Sequence, residues 1–235
     1  MLDAIRRDIR VARERDPAEP TAWEVILTYP GVHAVWGHRI SHWLWRRGAR
    51  LAARALGELT RILTGVDIHP GAKIGPGLFI DHATGVVIGE TAEVGEDVTI
   101  FHGVTLGGTG RDRGKRHPTI GDRVTIGAGA KVLGAIKIGD DSRIGANSVV
   151  VKEVPASAVV VGVPGQIVSR PGPASEDESK LPDLVGVSLK SLLTRVARLE
   201  GGRSDTPNGQ QPGASADRVI RPPEAGVWYG EDFSI

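Results

Sequence analysis

The large aliphatic residues in the middle of the chain recur at an interval of six. Thirteen of them occur between positions 68 and 150, and ten of the twelve intervals between them are six residues long. They are Ile68, Ile74, Ile80, Ile88, Val94, Ile100, Leu106, Ile120, Ile126, Val132, Ile138, Ile144 and Val150. An amphipathic helix would repeat every three or four residues, and an isolated strand every two. The period instead indicates short strands around a three-sided prism, with one aliphatic side chain pointing inward from each side.

Three sides of six residues make a coil of about 18 residues, and stacked coils bury an aliphatic layer that no single coil can bury alone. Eight of the thirteen residues are followed directly by glycine, at positions 75, 89, 95, 107, 121, 127, 139 and 145. We expect these glycines near the corners of the prism, where a bend or a close backbone approach leaves no room for a Cβ. The pattern therefore predicts a parallel β-helix over residues 66–170.

Two intervals break the repeat. The interval after Ile80 is eight residues long, and the interval after Leu106 is fourteen. Solenoid proteins place such insertions on one face, which is often the binding face. The first insertion contains His82 and the second contains His117. The spacing alone therefore points to these two places as the candidate functional site.

The segments before the repeats read as helices. We expect helices over 2–15 and over about 21–64, within an N-terminal helical region that spans 1–65. Segment 32–47 carries its apolar residues on one helical stripe. His38 and His42 are spaced as metal ligands on a helix would be. Because no carboxylate pattern accompanies them, we interpret them as histidines that pack in a core or an interface.

The segments after the repeats differ in composition from the rest. Residues 171–226 read as a linker that contains one short heptad helix over 183–200, whose apolar residues follow a 4-3-4-3 spacing. That helix would associate with copies of itself or pack on the parent domain. Residues 201–226 have the composition of a disordered segment. Residues 227–235 are aromatic and acidic and end in Ile235, which suits a docking peptide or a tail folded back on the body.

Composition and charge exclude several classes of function. The 29 Lys and Arg residues nearly balance the 28 Asp and Glu residues, so no strong field favours nucleic acid or an anionic membrane. The absence of cysteine excludes disulfides, thiol catalysis and thiolate metal sites. The first residues lack the apolar core of a signal peptide, and no apolar run reaches the roughly 18–20 residues of a membrane helix. These features predict a cytoplasmic protein.

The residues at the two interruptions suit acid–base chemistry. Asp67 precedes His82 by fifteen residues, close to one coil, so we expect its carboxylate above the imidazole, where it would orient a general base. An imidazole accepts a proton from a hydroxyl near neutral pH. Asp81 and Arg116 are the chain neighbours of the two histidines. The planar guanidinium of Arg116 suits a carboxylate.

A metal site is the competing interpretation. His69, His82, His102 and His117 contain enough imidazoles for the three-histidine ligand set of a hydrating zinc enzyme. The acidic and basic neighbours of His82 and His117 suit an amino acid at least as well. We therefore expect no metal.

Seven segments of the repeat region carry distinctive motifs. They are DIHPGAKIG (67–75), DHATGVVIGETA (81–92), VTLGGTG (104–110), RHPTIGD (116–122), IGAGAKVLG (126–134), IGANSVV (144–150) and GVPGQIV (162–168). Together with RDPA (15–18) and HRISHWLW (38–45) before them, these segments resemble serine acetyltransferases of the hexapeptide-repeat acyltransferase superfamily. The resemblance implies a left-handed β-helix. It also implies transfer of an acetyl group from acetyl-CoA to L-serine, which gives O-acetyl-L-serine in cysteine biosynthesis.

The resemblance further implies a role for individual residues. His82 would be the general base and Asp67 would orient it. The amino acid would be held by Asp16, Asp81, Arg116 and His117. The pantetheine arm of acetyl-CoA would lie in a groove lined by Gly107, Gly108, Ala128 and Ala146.

Partners follow from the same resemblance. Members of the family form trimers with active sites between subunits, are commonly inhibited by L-cysteine, and bind cysteine synthase through a terminal isoleucine, here Ile235. Many relatives have a longer N-terminal domain that joins two trimers, whereas this chain reaches its RDPA motif at residue 15, so we expect a homotrimer rather than a hexamer. Two alternatives stay open. One is a hexapeptide acetyltransferase for another hydroxyl acceptor, and the other is a regulatory partner of cysteine synthase without activity.

Overall fold

Four helices precede the repeats in the computed structural model, which describes residues 2–110, 113–169 and 194. They are α1 (Leu2–Arg15), α2 (Ala22–Thr28), α3 (Pro30–Arg46) and α4 (Arg50–Thr64). A capping box between Thr21 and Glu24 begins α2, and Pro30 occupies the first turn of α3, where its missing N–H has no helical partner to lose. Gly65 ends α4 with a φ of 73°. The N-terminal helical region is confirmed, with the segment over 21–64 divided into three helices.

Short strands follow α4 and wind into a three-sided prism. They are β1 (Asp67–Ile68), β2 (Lys73–Ile74), β3 (Phe79–Asp81), β4 (Val87–Ile88), β5 (Glu93–Val94), β6 (Thr99–Phe101), β7 (Thr105–Gly107), β8 (Thr119–Ile120), β9 (Thr125–Ile126), β10 (Lys131–Leu133), β11 (Lys137–Ile138), β12 (Arg143–Ile144), β13 (Val149–Val150), β14 (Val159–Val161) and β15 (Gln166–Ser169). From β1 to β13 every third strand shares a sheet, because each coil contributes one strand to each side. The predicted parallel β-helix of hexapeptide repeats is confirmed.

Three sheets form the sides of the prism. The first face contains β1, β4, β7, β10 and β13, the second contains β2, β5, β8 and β11, and the third contains β3, β6, β9, β12 and β14. The pairs within each face are parallel, and β15 adds to the third face as an antiparallel strand.

Two corners of the prism matter for function. The His82 corner joins the third face to the first and comprises residues 82–86, 102–104, 127–130 and 145–148. The His117 corner joins the first face to the second and comprises residues 69–72, 89–92, 108–110, 113–118 and 134–136.

The inward positions of the six-residue period form the core. Twelve of the thirteen aliphatic residues are buried, and the thirteenth, Ile74, is half-buried and packs against them. A second inward position lies two residues before each of them, where successive side chains of a strand return to the same face. At eight of the thirteen places it holds a buried Val or Ala that the period of large side chains does not reveal: Val66, Ala72, Val86, Ala92, Val98, Val104, Val124 and Ala130.

The corner glycines are explained by close approach between coils. A Cβ on Gly127 would lie 2.6 Å from the backbone nitrogen of Ala146 in the next coil, and one on Gly95 would lie 2.8 Å from the carbonyl of Gly121. Such distances are shorter than a folded chain tolerates. The expected reason for glycine at these positions is confirmed.

Helix α1 is fixed to the prism by one ion pair and one hydrogen bond, and to α3 by a second ion pair. Arg7 Nη2 lies 2.6 Å from Asp97 Oδ2, and Arg39 Nη2 lies 2.9 Å from the buried Asp8 Oδ1. Asp8 also accepts a hydrogen bond from the backbone N–H of Gly77. These contacts place the end of α1, and Asp16 after it, next to the third face.

The histidines of α3 pack as expected of core residues. The rings of His38 and His42 stack with their centroids 5.5 Å apart, and His38 is buried. Burial lowers the pKa of His38 to about 3, which keeps its imidazole neutral. No helix among the described residues is both long and apolar enough to cross a membrane.

Candidate active site

The first insertion turns His82 outward at the His82 corner. His82 and Ala83 have φ values of 55° and 53°, in the left-handed region, and the backbone N–H of Thr84 donates to the carbonyl of His82 at 2.6 Å. The side chain of His82 is 74% exposed. The two extra residues therefore present an imidazole to solvent instead of adding a layer to the core.

Acidic groups and a second histidine surround His82. Its Nε2 lies 3.8 Å from Oδ2 of Asp81. The ring of His102, on the next coil, meets the ring of His82 edge to face with centroids 5.8 Å apart. Asp16, beyond the end of α1, interacts electrostatically with His82.

Tyr29 holds the carboxylate of Asp16. The Tyr29 hydroxyl donates to Oδ2, and the backbone N–H of Ala18 donates to Oδ1 at 2.8 Å. The hydrogen bond from Tyr29 is the main reason that the pKa of Asp16 is lowered. Burial and the same hydrogen bond raise the pKa of Tyr29 to about 12, so its hydroxyl stays a donor. Sequence reasoning missed Tyr29, because no motif or spacing marks it.

Arg116 and His117 lie together at the His117 corner. Arg116 Nη2 donates to Glu90 Oε2 at 2.6 Å, and this contact lowers the pKa of Glu90. His117 is buried, and burial, reinforced by the charge of Arg116, lowers its pKa. Its ring occupies the space in which a Cβ on Gly89 would lie. The end of the long insertion therefore presents a cation and a neutral imidazole side by side.

Thr91 joins the two residues to the coil before them. Its hydroxyl oxygen accepts from the backbone N–H groups of Arg116 at 3.0 Å and His117 at 3.1 Å. Its carbonyl accepts from Nζ of Lys115 at 2.8 Å. Sequence reasoning assigned no role to Thr91. The strand register reveals this contact: Glu93 in β5 pairs with Thr119 in β8, so residue 91 lies beside residue 117.

Asp67 does not lie above His82, and the expectation from coil length needs correction. Asp67 pairs with Val87 in the first face, twenty residues later, because the insertion after Ile80 lengthens this coil. The coil neighbour of His82 is His102. Among the described residues, no hydrogen bond or ion pair joins Asp67 to His82, and Asp67 is exposed on the first face.

The candidate substrate-binding residues therefore fall into two half-sites. The acidic half-site, at the His82 corner, contains Asp16, Asp81 and His82, and the basic half-site, at the His117 corner, contains Arg116 and His117. A side of six residues at about 3.3 Å each puts the two corners up to about 20 Å apart. The two half-sites of a single chain therefore lie at opposite ends of the first face.

The histidines considered as metal ligands divide in the same way. His82 and His102 lie at the His82 corner, whereas His69 and His117 lie at the His117 corner. Within residues 2–110 and 113–169, no group of three or more His, Cys, Asp or Glu residues is arranged to hold a metal ion.

The residues expected to line the groove for acetyl-CoA lie on both sides of the first face. Ala128 and Ala146 continue the column above His102, through the hydrogen bonds from Gly129 N–H to the His102 carbonyl and from Asn147 N–H to the Ala128 carbonyl, each 2.8 Å. Gly107 ends β7, and Gly108 opens the second insertion. A Cβ on Gly108 would lie 3.3 Å from Nε2 of His117.

Comparison with known proteins identifies the family. Residues 117–152 match the model of the bacterial transferase hexapeptide (six repeats) family. The serine acetyltransferase of Mycobacterium tuberculosis is 73% identical over 239 aligned residues, which cover all of both chains. The chain belongs to the serine acetyltransferase family. The resemblance stated from the seven repeat segments is confirmed.

Three solved serine acetyltransferase structures share the fold. The soybean enzyme complexed with serine is 51% identical, with a TM-score of 0.69, over 71% of this chain and 68% of that chain. The enzyme of Brucella abortus strain S19 in complex with coenzyme A is 47% identical, with a TM-score of 0.71, over 73% and 68%. A serine acetyltransferase in complex with cysteine is also 47% identical, with a TM-score of 0.72, over 74% and 67%.

Several predictions concern residues that, apart from Thr194, lie outside the described part of the chain. They are the linker over 171–226, the heptad helix over 183–200, the docking peptide over 227–235 and its terminal Ile235.

Proposed function

We propose that this chain transfers the acetyl group of acetyl-CoA to the hydroxyl of L-serine, giving O-acetyl-L-serine and CoA, with His82 as the general base. The observation that carries the proposal is the outward-facing imidazole of His82 beside two carboxylates, on a chain whose other insertion presents Arg116 and His117. The family membership and the solved complexes with serine and coenzyme A support the two substrates.

The chemistry needs one proton acceptor and one nucleophile. An imidazole nitrogen of His82 takes the proton of the serine hydroxyl while the oxygen forms a bond to the thioester carbonyl carbon. The C–S bond of the tetrahedral adduct then breaks, and the departing thiolate takes the proton from the imidazolium. CoA leaves as the thiol, and His82 returns to its neutral form.

Charge complementarity accounts for selection of an amino acid. The carboxylates of Asp16 and Asp81 suit the ammonium group of serine, and the guanidinium of Arg116 with the imidazole of His117 suits its carboxylate. A sugar hydroxyl offers no charges for these four groups. We therefore favour serine over another hydroxyl acceptor.

We further propose a homotrimer in which the His82 corner of one chain meets the His117 corner of the next. This arrangement unites the acidic and basic half-sites that a single chain keeps apart, and a threefold axis repeats the contact three times. Asp67, which is exposed on the first face, would then orient His82 of a neighbouring chain. The column of Ala128 and Ala146 and the pair Gly107 and Gly108 would form opposite walls of one groove for the pantetheine arm.

The remaining partners belong to the same proposal. L-Cysteine, which differs from serine by one atom, would occupy the serine site and inhibit the enzyme, as the solved complex of a relative with cysteine supports. Ile235 would bind cysteine synthase, and the enzyme would act in the cytoplasm. Deleting Ile235 should abolish binding to cysteine synthase in a pull-down and leave acetyl transfer unchanged. A truncated chain that bound with unchanged affinity would refute this role.

An acceptor panel tests the reaction itself. Release of CoA from acetyl-CoA is followed with L-serine, with sugars and without an acceptor, and we expect rapid release with L-serine only. His82→Ala should lower kcat by about two to four decades, the loss expected of a general base. Near-normal turnover in this variant would refute the assignment of His82 as the general base. Turnover with a sugar but not with serine would establish the alternative acceptor, and no turnover at all would favour a purely regulatory protein.

A further inference from the structure

The ring of His117 has only one protonation state that satisfies its neighbours. Nδ1 receives a hydrogen bond from the backbone N–H of Thr91 at 3.2 Å and lies 2.8 Å from the Thr91 hydroxyl oxygen. A backbone N–H is always a donor, so Nδ1 must accept and cannot carry a proton. The proton of the neutral ring therefore resides on Nε2.

The donor and acceptor roles of the Thr91 hydroxyl are equally well determined. Its oxygen accepts two hydrogen bonds, from the backbone N–H groups of Arg116 and His117. Both of its acceptor positions are then occupied, so its own proton is directed at Nδ1 of His117. The hydroxyl thus fixes the backbone that carries Arg116 and His117, and together with the backbone N–H of Thr91 it fixes the tautomer of the imidazole.

Nε2 of His117 is left as a donor without an acceptor. Among the described residues, nothing accepts a hydrogen bond from it. It is also absent from the set of unpaired polar atoms that are fully buried, so it keeps contact with solvent. It lies 3.3 Å from the position that a Cβ on Gly108 would occupy. The charged and titratable groups around the ring are Glu90, Arg116, Lys115 and His69. The single carboxylate among them, Glu90, is hydrogen-bonded to Arg116.

We propose that Thr91 is a positioning residue that locks His117 as the neutral Nε2–H tautomer, so that His117 serves the bound amino acid only as a hydrogen-bond donor. This inference rests on the proposed function for the identity of the ligand, and it deepens that proposal. It assigns different chemical roles to the two histidines of the site. His82 exchanges a proton with the hydroxyl, whereas His117 keeps its proton and donates to an oxygen of the substrate.

The tautomer is tested in the full-length enzyme without any activity measurement. Histidine ring nitrogens are labelled with ¹⁵N, and the signals of His117 are assigned by their loss in His117→Gln. We expect an unprotonated Nδ1 and a protonated Nε2 over about pH 6 to 8, the range in which an unperturbed histidine titrates. A proton on Nδ1, or a doubly protonated ring in this range, would overturn the proposal.

Kinetics test whether the lock matters for binding. Thr91→Val keeps the shape of the side chain and removes the hydroxyl with its three hydrogen bonds, so the KM for serine should rise by about tenfold or more. The kcat should stay within about twofold, since no proton transfer involves this residue. Thr91→Ser, which keeps the hydroxyl, should restore the KM to within about threefold of the wild type.

Two kinetic outcomes would contradict the positioning role. One is an unchanged KM for serine in Thr91→Val. The other is a KM in Thr91→Ser as high as that in Thr91→Val, which would indicate a purely structural residue. If Thr91→Val does not fold, the wild-type ring spectra and Thr91→Ser still decide the matter. An enzyme that fails to acetylate serine would refute the proposed function, while the ring spectra would independently support or overturn the lock.

Discussion

The imidazole of His117 lies directly over Gly89, in the space that a Cβ on this glycine would occupy. Gly89 has no positive φ, so close approach rather than backbone conformation requires glycine here. Gly89→Ala should displace the ring from Thr91 and lower kcat/KM for serine by about ten- to hundredfold, the range that overpacking costs.

A matched control for this substitution lies in α4. Gly57→Ala adds the same methyl group where the nearest atom, Cγ of Pro70, lies at an ordinary 3.4 Å. This variant should keep the wild-type kcat/KM, since alanine is also the better helix former. Steady-state kinetics with varied serine compare the two. An unchanged serine KM in Gly89→Ala would show that His117 does not depend on this space.

Mixed oligomers test whether active sites form between chains. His82→Ala removes the base from the acidic half-site, and Arg116→Ala removes the cation from the basic one, so each variant alone should be nearly inactive. In an equal mixture assembled by co-expression, about a quarter of the sites in a threefold assembly would combine two intact half-sites. We expect about a quarter of the wild-type activity.

The control for this experiment mixes two defects of the same half-site. Chains with His82→Ala and chains with Asp16→Ala should give no recovery, since every acidic half-site is then damaged. Recovery in this control, or none in the first mixture, would refute the site between subunits.

Tyr29→Phe should change the pH dependence of serine binding. The Tyr29 hydroxyl favours the ionised form of Asp16 and lowers its pKa, so removing the hydroxyl raises that pKa. The protonated, uncharged fraction of Asp16 then becomes larger at a given acidic pH. The acid limb of kcat/KM for serine should therefore move to higher pH, while the rate at neutral pH changes little. A pH profile identical to that of the wild type would remove Tyr29 from the site.

The core of the β-helix should respond to lost volume as a close-packed interior does. Ile100, in β6 of the third face, is fully buried. Ile100→Ala should lower the free energy of unfolding by about 2–5 kcal/mol, and Ile100→Val by about 0.5–1.5 kcal/mol. Urea denaturation at one fixed protein concentration measures both, with Lys137→Ala on the exposed side of β11 as the control. Equal stability of the alanine and valine variants would contradict a tightly packed layer at Ile100.

The repeat was readable from the sequence because the physics behind it is local. Each side of each coil buries one large aliphatic residue in the same way, so large aliphatic residues recur every six positions in the sequence. The two insertions were readable for the same reason, since a departure from a strict period is as visible as the period. His82, Arg116 and His117 follow from those departures and from the motifs around them.

The contacts between coils were harder to predict from the sequence. Register depends on the length of each individual coil, and Asp67 pairs with Val87, twenty residues later, and not with His82, fifteen residues later. The hydrogen bond from Tyr29 to Asp16 joins the residue before α3 to the residue after α1. No pattern within either segment encodes that approach.

The sequence by itself determined the β-helix, the positions of its insertions and the residue types they carry. Only the tertiary structure decided that His82 and His117 lie at different corners, and that Thr91 fixes the tautomer of His117. The physical reason is that periodic burial is set by neighbours in the chain. The meeting of two side chains depends instead on how many residues each intervening coil contains and on which hydrogen-bond donors surround them.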